Sequence, residues 1–108
     1  MNIKERKEKE ALVISLEGRL DTTNYNELER KLSMIYDDKP VNILMDCSQL
    51  QYISSSGLRV MLMFLKRSKT AGVKFVLCSL QDPIREIFDI SGFTGIFEIF
   101  ATCDEALK

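Results

Sequence analysis

The chain has 108 residues, a formal net charge of −1 and no histidine. This length predicts one domain, spanning residues 1–108, and a domain of this size buries a core without a metal or a disulfide. The near-neutral charge excludes a general electrostatic attraction to nucleic acid or to an anionic membrane. The missing histidine excludes Ser-His-Asp and Cys-His catalysis, as well as any histidine-ligated metal site.

No apolar run is long enough to span a membrane, and the chain opens on mixed charges rather than on a signal peptide. We therefore expect a cytoplasmic protein that has no membrane, nucleic acid or small-molecule substrate as its partner. The glycines form no nucleotide-binding motif, so we expect no cofactor. Three cysteines, Cys47, Cys78 and Cys103, are an odd number without paired spacing, which argues against a disulfide framework and against a zinc site. We expect Cys47 and Cys78 to be core residues.

In chain order, the hydrophobic pattern alternates strands with helices. Strands are predicted over 11–18, 41–45, 73–78 and 96–100, with a charged edge strand near Ile3. Helical spacing over 25–36 predicts a first helix, which Thr23 or Asn24 caps and Pro40 ends. Asp46 and Ser48 are predicted to form a turn after the second of these strands. Further helices are predicted after the serines at 54–56, from Asp82 (with Ile84, Ile87, Phe88 and Ile90 on its apolar side) and from Asp104. This alternation predicts an α/β layer with parallel crossovers.

Three consecutive serines, Ser54, Ser55 and Ser56, lie between a predicted strand and a predicted helix, and Gly57 follows them. Hydroxyls at a helix N-terminus have two uses. They cap the helix, or they present a modifiable site where backbone N–H groups and the helix dipole favour an anion. The residues alone favour capping and leave the second use open. At least one of the three serines is expected to cap in either case.

Several stretches, in the right order, resemble the STAS family, the anti-sigma factor antagonists. Residues 17–21 (Glu-Gly-Arg-Leu-Asp) resemble the family's first characteristic turn, and residues 45–58 resemble its phosphorylation loop. Residues 76–78 and 84–93 resemble a later strand and helix. The resemblance implies an α/β fold of the STAS type (SpoIIAA-like), which has a mixed central sheet of four to five strands and about four helices.

The resemblance also implies site residues. Ser55 matches the serine that the family phosphorylates, with Ser54 and Ser56 as less favoured acceptors. Ser54 stands where many members carry aspartate, and Arg59 stands where a glycine is common, which should alter the docking surface. For Asp21, a capping role competes with a functional one. The partner-binding residues implied by the resemblance are Asp21, Thr22, Ser54, Ser56, Gly57, Leu58 and Arg59.

The function that the resemblance implies is a phosphorylation-switched binding module rather than an enzyme. The unphosphorylated protein would sequester an anti-sigma factor that is a serine kinase and so free a sigma factor. The kinase would phosphorylate Ser55, and a PP2C-type phosphatase would reset the switch. The alternative is an accessory STAS subunit of a transporter or a signalling assembly. A serine nucleophile with a lysine base is disfavoured because no constellation of base and oxyanion donors is evident.

Overall fold

The computed structural model describes residues 1–108 as one five-stranded sheet with helices on both faces. The strand order across the sheet follows the chain. β1 pairs antiparallel with β2, and all the other neighbours are parallel. The strands are β1 (Asn2–Glu8), β2 (Ala11–Leu20), β3 (Asn42–Ile53), β4 (Phe75–Cys78) and β5 (Ile99–Phe100). The predicted mixed α/β sheet and its charged edge strand are confirmed.

Four α-helices and one 3-10 turn connect the strands. They are α1 (Tyr25–Asp38), α2 (Ser55–Ala71), α3 (Asp82–Ile90), the 3-10 turn (Phe93–Gly95) and α4 (Cys103–Leu107). Side chains of α1, α2 and α3 join the large apolar core on one face of the sheet. α4 packs on the opposite face. None of the helices combines the length and the apolar character that crossing a bilayer requires.

Alternation along the strands produces two apolar clusters, since successive side chains point to opposite faces of a sheet. In β3, Ile43 and Met45 enter the large core, whereas Leu44 points to the other face. The smaller group, which we call the second cluster, consists of Val13, Leu44, Val76 and Cys78. α4 is the helix that covers this second cluster.

β3 continues to Ile53, well beyond its predicted end. Ser15 pairs with Asp46 whereas Glu17 pairs with Gln49, so β3 holds one extra residue between these pairs and forms a β-bulge. At the bulge, the Ser48 N–H donates to Asp46 Oδ1 (3.0 Å). The predicted end of the strand at residue 45 is therefore wrong, although the Asp46 side chain makes the local hydrogen bond that is typical of a turn-forming residue and bends the strand with it.

The last third of the chain differs from the prediction in two places. The final strand contains only Ile99–Phe100, because Phe93–Gly95 forms a 3-10 turn before it. Phe97, predicted as a strand residue, is buried with its ring 5.7 Å from that of Phe88. Ile90 is 79% exposed at the end of α3, so its predicted place on the apolar side is also wrong.

The cysteines correct a further expectation. Cys78 and Cys103 are joined by a disulfide, so the odd cysteine count concealed one bonded pair. Cys78 is nevertheless fully buried, as predicted for a core residue. Cys47 is the free thiol, and it too is buried. Burial raises the pKa of the Cys47 thiol to about 12, with a smaller contribution from the Asp46 carboxylate, so Cys47 is unreactive in the folded chain.

Candidate functional site at the serine turn

The serine turn and the turn at Asp21 leave the sheet side by side. β2 and β3 are parallel, and their last residues, Leu20 and Ile53, are register partners. The Ser54 N–H then donates to the Leu20 carbonyl at 2.9 Å. The two predicted halves of the site are therefore brought together by sheet pairing, which fixes their relative position.

Ser54 is the N-cap of α2. Its backbone is extended (φ −89°, ψ 173°), and its Oγ accepts a hydrogen bond from the Gly57 N–H at 3.3 Å. Its carbonyl accepts from the Leu58 N–H at 2.9 Å. The expectation that at least one serine caps the helix is confirmed. The Ser54 hydroxyl is thus engaged in holding the helix, and its side chain is half-buried.

Ser55 is the first residue of α2 and is exposed, whereas Ser56 is half-buried. The first N–H groups of a helix have no carbonyl partner within it, and the dipole there favours negative charge. No acidic side chain occupies the first turn of α2. Arg59 is exposed and lies four residues after Ser55, which puts both on the same side of the helix. The surroundings of Ser55 can therefore accept an anion.

Gly57 and Leu58 contribute to the site by packing. A Cβ at position 57 would lie 2.8 Å from Leu20 Cγ and 2.9 Å from Ile53 Cγ1. Glycine thus lets α2 approach the ends of β2 and β3 closely. Leu58 is only 6% exposed and belongs to the large core. Gly57 is also buried, so both residues support the turn from within the fold, and their part in partner binding stays a prediction.

Asp21 organises the neighbouring turn. Its Oδ1 accepts hydrogen bonds from the Thr23 N–H (2.9 Å) and the Thr23 hydroxyl (2.6 Å). The hydrogen bond from the Thr23 hydroxyl has the largest effect in lowering the pKa of the Asp21 carboxyl, followed by the hydrogen bond from the Thr23 N–H. Arg19 lowers this pKa further. Asp21 is therefore an ordered negative charge at neutral pH. Thr22, between Asp21 and Thr23, is exposed.

Asn24 has a different role from the predicted one. It precedes α1, yet its side chain makes no hydrogen bond to the helix N-terminus. Its Oδ1 accepts from the Asp21 N–H (2.9 Å), and its Nδ2 donates to the Arg19 carbonyl (2.8 Å). Asn24 therefore does not cap α1 through its side chain. Its two hydrogen bonds instead hold the Asp21 turn in place beside the serines.

Arg19 and Tyr52 belong to this surface and were missed in the sequence. A second bulge, at Gln51, makes Arg19 the register partner of Tyr52. The Arg19 guanidinium lies 4.2 Å from the centre of the Tyr52 ring, and Tyr52 is 36% exposed. Arg19 Nε is also 3.7 Å from Asp21 Oδ2. Only the register of the bulged strands reveals this pairing, and no spacing along the sequence encodes it.

No group of metal-ligating side chains occurs at the serine turn. One such group lies elsewhere, where the side chains of Asp46, Cys78 and Cys103 place their ligand atoms within 4.8 Å of one another. The two sulfur atoms of that group are bonded to each other. The serine turn therefore offers hydroxyls, backbone N–H groups and a cation, which suit an anion rather than a metal ion.

The sequence profile of the STAS domain matches residues 2–106. The chain belongs to the STAS domain family. Among curated relatives, this STAS domain is 38% identical over 88 residues to BtrV of Bordetella bronchiseptica, which carries the provisional name anti-sigma factor antagonist. The alignment covers 82% of this chain and 76% of BtrV. The predicted family membership is confirmed.

Solved structures show the same fold. The anti-sigma factor antagonist SpoIIAA in its unphosphorylated form superposes with a TM-score of 0.81 at 22% identity, covering 97% of this STAS domain and 92% of SpoIIAA. SpoIIAA, a Bacillus cell fate determinant, is also known in a phosphorylated form. A sulfate transporter family protein from Wolinella succinogenes gives a TM-score of 0.77 at 17% identity, covering 90% of this chain and 81% of that one. These likenesses confirm the predicted STAS-type fold.

Proposed function

We propose that this STAS domain is an anti-sigma factor antagonist whose binding is switched by phosphorylation of Ser55. One observation carries the choice of residue: Ser55 is the only one of the three serines with an exposed side chain, whereas Ser54 caps the helix and Ser56 is half-buried. The relationship to BtrV and the fold shared with SpoIIAA support the class of function.

The switch would act through charge. Phosphorylation adds about −1.5 to −2 charges at neutral pH. At Ser55 this charge meets the N-terminus of α2 and lies on the same side of the helix as Arg59, so the fold tolerates it. A partner surface matched to neutral hydroxyls does not. The phosphate also adds to the negative charge that Asp21 already presents on the adjoining turn. Such a mismatch across an interface costs several kcal/mol, or roughly a hundredfold or more in affinity.

The proposed partners follow from this switch. They are an anti-sigma factor that acts as a serine kinase and a PP2C-type phosphatase that restores the hydroxyl, both in the cytoplasm. ATP and Mg²⁺ belong to the kinase, and this domain is its substrate. We propose binding rather than catalysis because no lysine contacts the hydroxyls of the serine turn, and Ser54 Oγ bonds only to a backbone N–H.

Intact-mass spectrometry after incubation with ATP, Mg²⁺ and candidate anti-sigma kinases from the same genome tests the proposal. We expect one added phosphate, mapped to Ser55 by fragmentation, together with loss of kinase binding. Ser55→Ala should accept none. The matched variants Ser54→Ala and Ser56→Ala should still accept one phosphate on Ser55. Stoichiometric phosphorylation of Ser55→Ala would refute the assignment of the acceptor.

A second candidate is an accessory subunit of a transporter, which the fold shared with the Wolinella protein favours. This function needs no phosphorylation. Affinity purification of the chain from its own cells distinguishes the two proposals. Recovery of a transporter component together with unmodified Ser55, and no kinase-type anti-sigma factor, would support the accessory role.

A further inference from the structure

We propose that Cys78 and Cys103 form a site of reversible two-electron oxidation, whose disulfide fastens α4 over the second cluster. This site is separate from the serine turn and uses none of its residues. It gives the chain a second input, namely the thiol–disulfide balance of its surroundings.

The two cysteines are placed where a bond between them connects two elements. Cys78 is the last residue of β4 and is fully buried, whereas Cys103 is the first residue of α4 and is half-buried. Their Cα atoms are 5.3 Å apart, within the range that disulfides occupy. The bond spans a sequence separation of 25 residues, so it encloses α3, the 3-10 turn and β5.

α4 depends on this bond because little else holds it. The helix has five residues, too few to be stable by itself. Its apolar contacts with the second cluster come from the half-buried side chains of Ala106 and Leu107. Its other ties are the cap, in which Glu105 N–H donates to Thr102 Oγ1 (3.1 Å), an exposed hydrogen bond from Lys9 Nζ to the Leu107 carbonyl (3.2 Å) and a contact of 3.8 Å between Ser79 Oγ and Cys103 Sγ. Without the bond, α4 is expected to open locally and expose Cys78.

Asp46 sets how readily the pair reacts. One of its carboxylate oxygens and the two cysteine sulfurs lie within 4.8 Å of one another. A nearby negative charge disfavours a thiolate, and the thiolate is the reactive form of cysteine. Asp46 is therefore expected to slow both oxidation and exchange. The two cysteines are therefore oxidised slowly when little oxidant is present, but they can still be oxidised.

The step balances with a small-molecule disulfide as the oxidant. The Cys103 thiolate, as the more accessible sulfur, attacks one sulfur of the oxidant, breaks its S–S bond and releases one thiolate, which takes up the proton that Cys103 gave to solvent. The Cys78 thiolate then attacks the Cys103 sulfur, breaks the mixed disulfide and releases the second thiolate, which takes up the proton that Cys78 gave to solvent. Two protein thiols are oxidised, and one small disulfide is reduced to two thiols. An external dithiol reverses the reaction.

Equilibration of the full chain in buffers of graded reduced-to-oxidised glutathione tests the proposal, with acid quenching, alkylation and peptide mapping. We expect a single transition with the loss of two hydrogen masses and a peptide linking Cys78 to Cys103. The oxidised form should melt roughly 15 °C higher, given a loop of this length. Hydrogen exchange over residues 103–107 should slow on oxidation.

Variants make the result specific. Cys103→Ser, at the half-buried position, should fold and show neither the transition nor the shift in melting temperature. The matched control Cys47→Ala should retain both. Asp46→Asn should oxidise several-fold faster at neutral pH. The proposal is overturned if no buffer links the two cysteines, if the reduced and oxidised forms melt together, or if the reduced protein instead holds one zinc ion that protects both thiols from oxidation.

Discussion

At the scale of single residues, Gly57 is fixed by the space available to it. Its Cα faces Leu20 and Ile53 so closely that any Cβ would overlap them. We expect Gly57→Ala to lower the free energy of unfolding by about 1–3 kcal/mol, the usual cost of overpacking. Urea denaturation measures it. Gly95→Ala is the control, because a Cβ there meets nothing within 4 Å. Equal losses in both variants would contradict the packing argument.

Ser54 and Ser55 are adjacent in sequence but differ in what they do. Ser54 caps α2 through its hydroxyl, whereas the Ser55 side chain is exposed and makes no hydrogen bond within the chain. Ser54→Ala should therefore lower the free energy of unfolding by about 1 kcal/mol, whereas Ser55→Ala should leave it within about 0.5 kcal/mol. Chemical denaturation of the two variants side by side checks this. A larger loss for Ser55→Ala would reverse the assignment of the two roles.

Asp21 should contribute to the pH dependence of the free energy of unfolding. Its carboxyl has a pKa below the ordinary 3.8, and the largest cause is the hydrogen bond that it accepts from the Thr23 hydroxyl. The folded chain therefore binds fewer protons than the unfolded chain below that value. The stabilisation is complete above pH 3.8 and is lost as the pH falls through the folded pKa. A carboxyl NMR titration should find Asp21 below 3.8, and Thr23→Val should raise its pKa. An unchanged pKa in Thr23→Val would contradict the stated cause.

At the scale of elements, α1 and α2 pack through an aromatic pair. The rings of Tyr36 and Phe64 stack with centres 5.7 Å apart, and the Tyr36 hydroxyl is buried without a hydrogen-bond partner in the chain. Because that hydroxyl gains nothing from burial, Tyr36→Phe should change the free energy of unfolding by less than about 0.5 kcal/mol or raise it. Phe64→Ala is the contrasting variant and should cost about 3–5 kcal/mol. Thermal unfolding at neutral pH measures both.

The same tyrosine predicts an alkaline effect. Burial raises the pKa of Tyr36 from 10.0 to about 12, against the opposing influence of Arg67. Because burial disfavours the ionised phenolate, Tyr36 leaves the stability of the fold unchanged below pH 10 and lowers it as the pH rises toward 12. Tyr36→Phe should remove this part of the alkaline decline in stability. Identical declines in the two proteins would show that Tyr36 titrates normally.

The elements that sequence patterns predict best are those with a long amphipathic stripe. α1, α2 and α3 were predictable because burial on one side gives them a helical period. β3 was cut short in the prediction because Asp46 and Ser48 look like turn residues, and a bulge that absorbs polar residues depends on the partner strand. The disulfide was missed for a similar reason, since Cys78 and Cys103 meet only after the chain has folded. Family resemblance located the serine turn and favoured Ser55, and the structure adds a physical difference, since Ser54 caps α2 whereas Ser55 is exposed.

At the scale of the whole molecule, the proposed switch should affect stability and binding in opposite directions. Ser55→Asp places a negative charge in the first turn of α2, which has none. We expect the free energy of unfolding to rise by about 0.3–1 kcal/mol. Affinity for the kinase should fall roughly a hundredfold or more. Ser55→Asn, which is neutral, is the control and should change both far less. Loss of binding together with loss of stability would indicate misfolding instead of switching.

The two borders of the sheet limit how other proteins can meet it. Five of the seven residues of β1 are charged, and β5 has only two residues. Charged and very short border strands resist pairing with a strand from another chain. Binding of a partner by adding a strand is therefore disfavoured at both edges of the sheet. A partner is therefore expected to contact side chains on the loops and helices. One added phosphate can abolish contacts of this kind.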